Sequence, residues 1–364
     1  MRHDIDQMTR RSRRFSLDIM AGSRASMTLA WAGTAEDAMS DFTPLQELGP
    51  LAPVEQAGQA LECYLDHYGL SPLLAGTMDL HVGYVDAHGF RLWTQVWTPQ
   101  DPIGTIWVVH GYYDHLGLYR HLLECLLERN WRVVLWDLPG HGLSSGPRAS
   151  IGDFDEYGAC LNDLRQELES RELVAPPWVG IGQSTGAAIL ATDALTRDDN
   201  SYWQGLALLA PLVRPWGWSQ SSWLHRLVGP FVRSVPRRFR ENSTDSDFAA
   251  FLREGDPLQP DRLAMEWVDA MRRWMPRLLA LPPSRVPTLI LQGEQDSTVD
   301  WEWNLDVLDR KFPNAEICRH PEARHHLVNE AESIRRSLFA DLARFLADLE
   351  EGFEALPPER RRCS

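Results

Sequence analysis

Gly182-Gln183-Ser184-Thr185-Gly186 is the stretch on which the reading of this chain turns. It has the form G-x-S-x-G and stands between Trp178-Val179-Gly180-Ile181 and Ala187-Ala188-Ile189-Leu190-Ala191. The first run reads as a short buried strand, the second as the start of a helix. A sharp turn between them holds a serine at an unfavourable backbone angle, its hydroxyl exposed above a sheet. The flanking glycines leave room for strand and helix to cross. Five-residue patterns also recur by chance, so the rest of the chain has to support this one.

Working outward, apolar strands alternate with amphipathic helices from Gly104 onward, the mark of a mostly parallel sheet. Strands are expected at 106–109, 133–136, 178–181, 206–209, 287–291 and 315–319. Helices are expected at 119–128, 154–170, after Ser184, near 299–311 and at 327–350. Upstream, 81–85 and 90–97 read as a hairpin around Asp86-Ala87-His88-Gly89, its strictly alternating second arm half exposed at the sheet edge. A helix is expected over 53–70, preceded by a loose extension. The alternation stops over 213–279, a stretch rich in tryptophan and arginine that reads as a helical insertion over the sheet. The domain reading is therefore an extension at 1–75, a core of 76–212 and 280–352, a cap at 213–279 and a tail at 353–364.

Composition narrows the classes. At 364 residues with 44% hydrophobic content, the chain can bury the core of one α/β domain with an insertion. The net charge of −15 argues against nucleic acid as a partner. Five scattered cysteines (Cys63, Cys125, Cys160, Cys318, Cys363) lack metal-ligand spacing and read as thiols in a reducing compartment. No apolar run approaches the roughly 20 residues of a membrane span. The basic start (Arg10, Arg11, Arg13, Arg14) leads into a stretch broken by Gly22, Ser23, Arg24 and Ser26, a poor signal peptide. A cytoplasmic location is expected, with no metal and no cofactor.

A serine nucleophile needs a base, and the base an orienting carboxylate, in the order serine, acid, histidine. Asp296 ends the run Leu289-Ile290-Leu291-Gln292-Gly293-Glu294-Gln295-Asp296 and is the preferred acid, with Glu294 and Asp300 as fallbacks. For the base, Glu322-Ala323-Arg324-His325-His326-Leu327 offers two neighbouring histidines, either of which can reach the serine; His320 lies earlier, near the strand end. The oxyanion donors expected are the backbone amides of Thr185 and of Tyr112, in the loop His110-Gly111-Tyr112-Tyr113-Asp114-His115. His110 reads as structural. The loop Asp137-Leu138-Pro139-Gly140-His141-Gly142 fits neither phosphate-loop pattern.

Together these motifs, with Tyr119 and the cap segment from Ser246-Asp247-Phe248 to Asp256-Pro257-Leu258, resemble the α/β-hydrolase superfamily, in particular its monoacylglycerol lipase and bacterial lysophospholipase branch. The resemblance spans about 78–350. It implies an α/β-hydrolase fold with helices on both sheet faces, and His325 rather than His326 as the base. Two positions depart from the usual pattern: Thr185, where many members carry methionine or leucine, and Gln183, where many carry histidine.

The leading expectation is a cofactor-independent serine hydrolase of single-acyl-chain esters, monoacylglycerols or lysophospholipids. Its partner is that acyl ester, with at most transient membrane contact. In the cap, Trp216, Trp218 and Trp223 are candidate acyl-chain contacts, although tryptophans there can equally be packing. Trp267 and Trp274 carry the same alternative. Arg233, Arg237, Arg238 and Arg240 read as a solvated face that can also approach lipid phosphates. An amidase, aminopeptidase or thioesterase is the alternative, its free amine met by Glu241, Asp245, Asp247 or Glu254. A ligand-binding hydrolase fold without catalysis is the third reading. Haloalkane and epoxide chemistry would need aspartate at position 184.

Overall fold

The computed structural model describes residues 42–354 except 57, 198–201 and 219–231. In chain order these form α1 (Thr43–Gln46), β1 (Ala52–Pro53), α2 (Gln59–His67), β2 (Asp79–Ala87), β3 (Phe90–Thr98), β4 (Thr105–Val109), α3 (Arg120–Glu128) and β5 (Arg132–Trp136). There follow α4 (Asp155–Ser170), β6 (Trp178–Gln183), α5 (Thr185–Thr196), β7 (Gly205–Leu209), β8 (Ser234–Pro236), α6 (Ser246–Ala250), β9 (Arg262–Ala264) and α7 (Met265–Ala280). The chain closes with β10 (Thr288–Gly293), α8 (Trp301–Lys311), β11 (Ala315–His320) and α9 (Glu332–Glu354).

Nine strands form one sheet in the order β1-β2-β3-β5-β4-β6-β7-β10-β11. The first three pairings are antiparallel, and from β5 to β11 every neighbour is parallel. Every residue of β4, β6, β7 and β10 is buried, which is why these strands read as continuous apolar runs. β6 lies beside the central β4, so its C-terminal end, and the serine that follows, stands near the middle of the edge formed by the C-terminal ends of the parallel strands. That edge is where open parallel sheets hold their ligands.

The hairpin turns through His88 and Gly89, both at positive φ, the geometry a two-residue connection between twisted strands requires. Its second arm differs from expectation. β3 is no edge strand: it lies between β2 and β5 and is buried over most of its length. Two of its polar groups pair internally, Gln95 Oε1 accepting from Trp97 Nε1 and the Thr94 hydroxyl donating to the Leu92 carbonyl. The cover comes from the extension. Phe42 and Leu45 are buried, and Tyr64 of α2 meets Trp93 of β3 edge-on at 6.0 Å. The chain from Phe42 onward is thus ordered packing rather than a loose lead-in. The helix there is also shorter than expected, because Gly58 and Gly69 adopt positive φ at its two ends and Pro53 pairs in β1.

Between β7 and β10 the insertion is not purely helical, since β8 and β9 form a separate two-stranded ribbon beside α6 and α7. Trp274 of α7 stacks on Phe154 and donates to the Thr192 hydroxyl at 2.9 Å, so it is a packing residue. At the C-terminus the helix expected from 327 starts as a short 3-10 turn (Leu327–Asn329) and reaches Glu354. Among the described residues no helix is long and apolar enough to cross a membrane.

Candidate active site

Ser184 sits between β6 and α5 at φ +54°, ψ −108°. A non-glycine residue in this region carries on the order of 1–3 kcal/mol of strain, tolerated only where the surroundings enforce it. Glycines on both sides permit the crossing. A Cβ on Gly186 would collide with the Val109 carbonyl of β4, and one on Gly182 with the backbone of Gly186 and Ala187. Ser184 itself donates its backbone amide to the Leu209 carbonyl at 2.8 Å, which fixes the turn to β7.

His325 Nε2 lies 3.0 Å from Ser184 Oγ, and its Nδ1 lies 2.7 Å from Asp296 Oδ2. Asp296 follows β10 and is itself held by the amides of Thr298 (2.7 Å) and Val299 (3.2 Å) and by Gln292 Nε2 (3.2 Å). All three side chains are nearly buried. Burial pushes the Asp296 carboxyl up, but the facing imidazole and the two amides outweigh this and hold it below the usual carboxylate range. Burial likewise opposes charge on His325, and Asp296 reverses the sign, so the imidazole pKa lies above its ordinary value.

The other candidates are engaged elsewhere. His326 turns away from the serine, its Nε2 3.2 Å from Asp114 Oδ2. His320 lies beside Asp341, Asp300 pairs with Arg214, and Glu294 is 3.7 Å from Arg319. His110 bridges two loops, its Nε2 accepting from the Leu138 amide at 2.8 Å and its Nδ1 donating to the Gly111 carbonyl. The loop after β4 is tied down further, with the Gly111 amide donating to the Tyr119 hydroxyl and Asp114. Among the described residues, the amides of Tyr112 and Thr185 donate to no protein acceptor. Thr185 opens a 12-residue helix, so the positive end of its dipole points to the same place.

Two positioning contacts were not foreseen. Gln183 Nε2 donates to the His325 carbonyl at 2.7 Å, tying the residue before the serine to the histidine loop. The Asn242 carbonyl, from the insertion, accepts from the amides of both His325 (3.0 Å) and His326 (2.7 Å). Only the first had a sequence signal, the glutamine standing where the resembled family has histidine.

Above Ser184 opens a cavity of about 570 Å³, lined chiefly by apolar side chains, including Leu212, Leu263, Val268 and Met271. Trp216 and Trp218 line it, as does Trp267, which stacks on the Tyr112 ring at 3.9 Å. Trp223 lies outside the described residues. No described carboxylate lines the cavity, and no described cluster of His, Cys, Asp and Glu has the grouping of a metal site.

A central parallel sheet with a strained serine after its middle strand defines an α/β hydrolase. Comparison with known proteins places it further. The family described as "Serine aminopeptidase, S33" matches residues 100–332. The monoglyceride lipase of Mus musculus is 33% identical over 262 residues, covering 67% of this chain and 82% of that protein. The human monoglyceride lipase is 27% identical over 279 residues, covering 71% and 87%. A crystal structure of the monoacylglycerol lipase from Paleococcus ferrophilus shares the fold at a TM-score of 0.61 and 21% identity, covering 71% of this chain and 99% of that one. The chain belongs to the S33 serine aminopeptidase family, in the monoacylglycerol lipase branch of the α/β hydrolases, and is a serine ester hydrolase.

Proposed function

We propose that the chain cleaves carboxylic esters of single-acyl-chain lipids through an acyl-enzyme. Ser184 attacks the carbonyl while His325 takes its proton and returns it to the leaving alcohol. Asp296 holds the imidazole with Nε2 toward the serine and stabilises its charged form. The amides of Thr185 and Tyr112 receive the oxyanion. Water, activated by His325, then releases the acid. The observation that carries this reading is His325 bridging Ser184 and Asp296 at the floor of an apolar cavity.

The amine-recognising alternative has less support. Of its four acids, Glu241 lies toward Arg324 and Arg253, and Asp245 caps α6 through the amides of Asp247 and Phe248. Neither Asp247 nor Glu254 lines the cavity.

A rate panel tests the proposal: p-nitrophenyl esters of increasing acyl length, a monoacylglycerol and an aminoacyl amide. The expected result is kcat/KM rising with acyl length up to the medium or long chains, with the amide far behind. A preference for the amide or for acetate would remove the lipid reading and leave the triad standing.

The pH profile follows from the relay. His325 serves as base only when neutral, and its pKa lies above the ordinary 6.5. Lowering the pH through that raised pKa protonates it, so kcat/KM on a non-ionising ester should rise along an acid limb centred above 6.5. A limb centred below the ordinary value would contradict the coupling to Asp296.

A further inference from the structure

The turn that carries the Tyr112 amide is strained. The Asp114 amide donates to the Gly111 carbonyl at 3.1 Å, closing the four residues Gly111-Tyr112-Tyr113-Asp114. Tyr113 stands third among them at φ +74°. A left-handed residue at that position of a turn is ordinarily glycine or asparagine, and a bulky aromatic there is an outlier. Such a conformation persists only where the surroundings enforce it, and it occurs where a side chain is needed in one place.

The surroundings that enforce it come from the insertion. The Arg237 guanidinium lies over the Tyr113 ring at 4.2 Å, the Tyr113 ring lies 4.2 Å from that of Tyr112, and the Tyr112 ring stacks on Trp267 at 3.9 Å. One unit presents both ends of this row. Arg237 follows β8 directly and donates its amide to the Asp261 carbonyl at 2.8 Å. Trp267 stands in the first turn of α7, just after β9. Since β8 and β9 pair with each other, their ribbon sets where the two ends of the row stand. The Arg237 fork is held further by Gln259 Oε1 and the Pro260 carbonyl, and the Tyr112 hydroxyl donates to the Ala149 carbonyl at 2.7 Å. All four side chains of the row line the cavity above Ser184.

We propose that Arg237, Tyr113 and Trp267 are positioning residues for the oxyanion hole: through this row the insertion holds the turn, and with it the Tyr112 amide, toward Ser184. This rests on the triad and oxyanion reading above and adds to it the part that the insertion takes in catalysis. A backbone donor lowers the barrier only if it is already aimed where the charge develops. Asp114 and the Tyr119 hydroxyl tie the turn to the core on one side, at the Gly111 amide. The side that bears Tyr112 and Tyr113 faces the cavity, and there the row supplies the restraint. The planar guanidinium matters here for its shape, since a flat cation covers a ring face that an ammonium cannot.

The test measures kcat and KM on p-nitrophenyl acetate and p-nitrophenyl octanoate. Tyr113→Gly removes the ring and relieves φ +74°, so it should melt within a few degrees of wild type. It should nonetheless lower kcat on both esters alike, by about 10- to 100-fold, the scale of a slight misplacement of a catalytic group. Tyr113→Phe keeps the ring and should stay within about threefold of wild type. Arg237→Lys keeps the charge and loses the plane, so its kcat should fall as well. Affinity for a trifluoromethyl ketone, whose adduct with Ser184 places an oxyanion in the same hole, should weaken in parallel with kcat/KM. A loss confined to the octanoate ester would make Tyr113 a wall of the cavity and overturn the proposal. So would a change in KM alone, or Arg237→Lys at the wild-type kcat. If Tyr113→Gly does not fold, Arg237→Lys and the ketone affinity decide. Comparing Tyr112→Pro with Tyr112→Ala separates the two levels, since both lose the ring and only the first loses the N–H. Equal kcat in that pair removes the Tyr112 donor and this proposal with it. A large gap between them, with the Tyr113 and Arg237 variants at the wild-type kcat, removes this proposal alone.

Discussion

Replacing Ser184 with alanine is expected to lower kcat on any ester substrate by about 10⁴-fold or more, the scale seen when the nucleophile is removed from a triad. What remains should be the weak assistance of the oxyanion amides to attack by water. Covalent labelling by a fluorophosphonate should be lost in the same variant. Stability should change little, because alanine at φ +54° keeps the strain and, among the described residues, the hydrogen bond lost by Oγ is that to His325. An inactive variant that melts near the wild-type temperature therefore separates chemistry from folding. Hydrolysis at the wild-type rate by Ser184→Ala would remove the assignment outright.

The parts of this site legible in the sequence are those that local chemistry dictates. A serine at positive φ between two crossing elements needs glycines at 182 and 186, and those glycines are visible as a pattern. The parallel strands are buried on both faces and so announce themselves as apolar runs. Asp296 was visible at the end of such a run and the 325–326 histidines in the segment between the last strand and the last helix, but choosing between two adjacent histidines depends on which way each ring turns. Asp114 draws the His326 ring toward the loop after β4, a contact across more than 200 residues that no local pattern encodes.

What was misread has the same cause. The run over β3 does not alternate strictly, since Trp93 and Trp97 share a face with Arg91 and Gln95, and that face is covered by a segment that sequence alone could not place, Tyr64 meeting Trp93. A polar residue such as Gln95 signals exposure only if nothing inside the fold can pair with it, and Trp97 does. Gly58 and Gly69 were visible too, but an apolar stripe outweighed them in the helix boundaries. The same limit hides the role of Gln183, whose amide reaches a carbonyl on another loop.

Asp256→Ala is expected to be the most destabilising of the single substitutions considered. Asp256 and His115 are both fully buried, and the His115 Nε2 lies 3.0 Å from Asp256 Oδ2. The carboxylate also accepts from the Tyr68 hydroxyl at 2.8 Å, Gln259 Nε2 at 2.9 Å and the Leu258 amide at 3.0 Å. His115 Nδ1 in turn accepts from the Gly117 amide, so its Nε2 carries the proton given to Asp256. One side chain thereby joins the extension (Tyr68), the loop that carries Tyr112 (His115) and the insertion. Burial pushes its carboxyl up, but His115 and the surrounding donors hold it below the usual range. That contribution is present above the unfolded carboxylate pKa and is lost as the pH falls through the lowered folded value. Alanine would leave the donors on His115, Tyr68, Gln259 and Leu258 without their acceptor, at a cost of about 1–3 kcal/mol for a buried donor left unsatisfied. Tyr68→Phe removes a single donor and should cost about 1 kcal/mol. Denaturant unfolding of both variants checks the ordering, and a double-mutant cycle should show the two costs to be less than additive. If Asp256→Ala unfolds within about 1 kcal/mol of wild type, the typical net worth of one hydrogen bond, the three segments are held together by apolar packing instead.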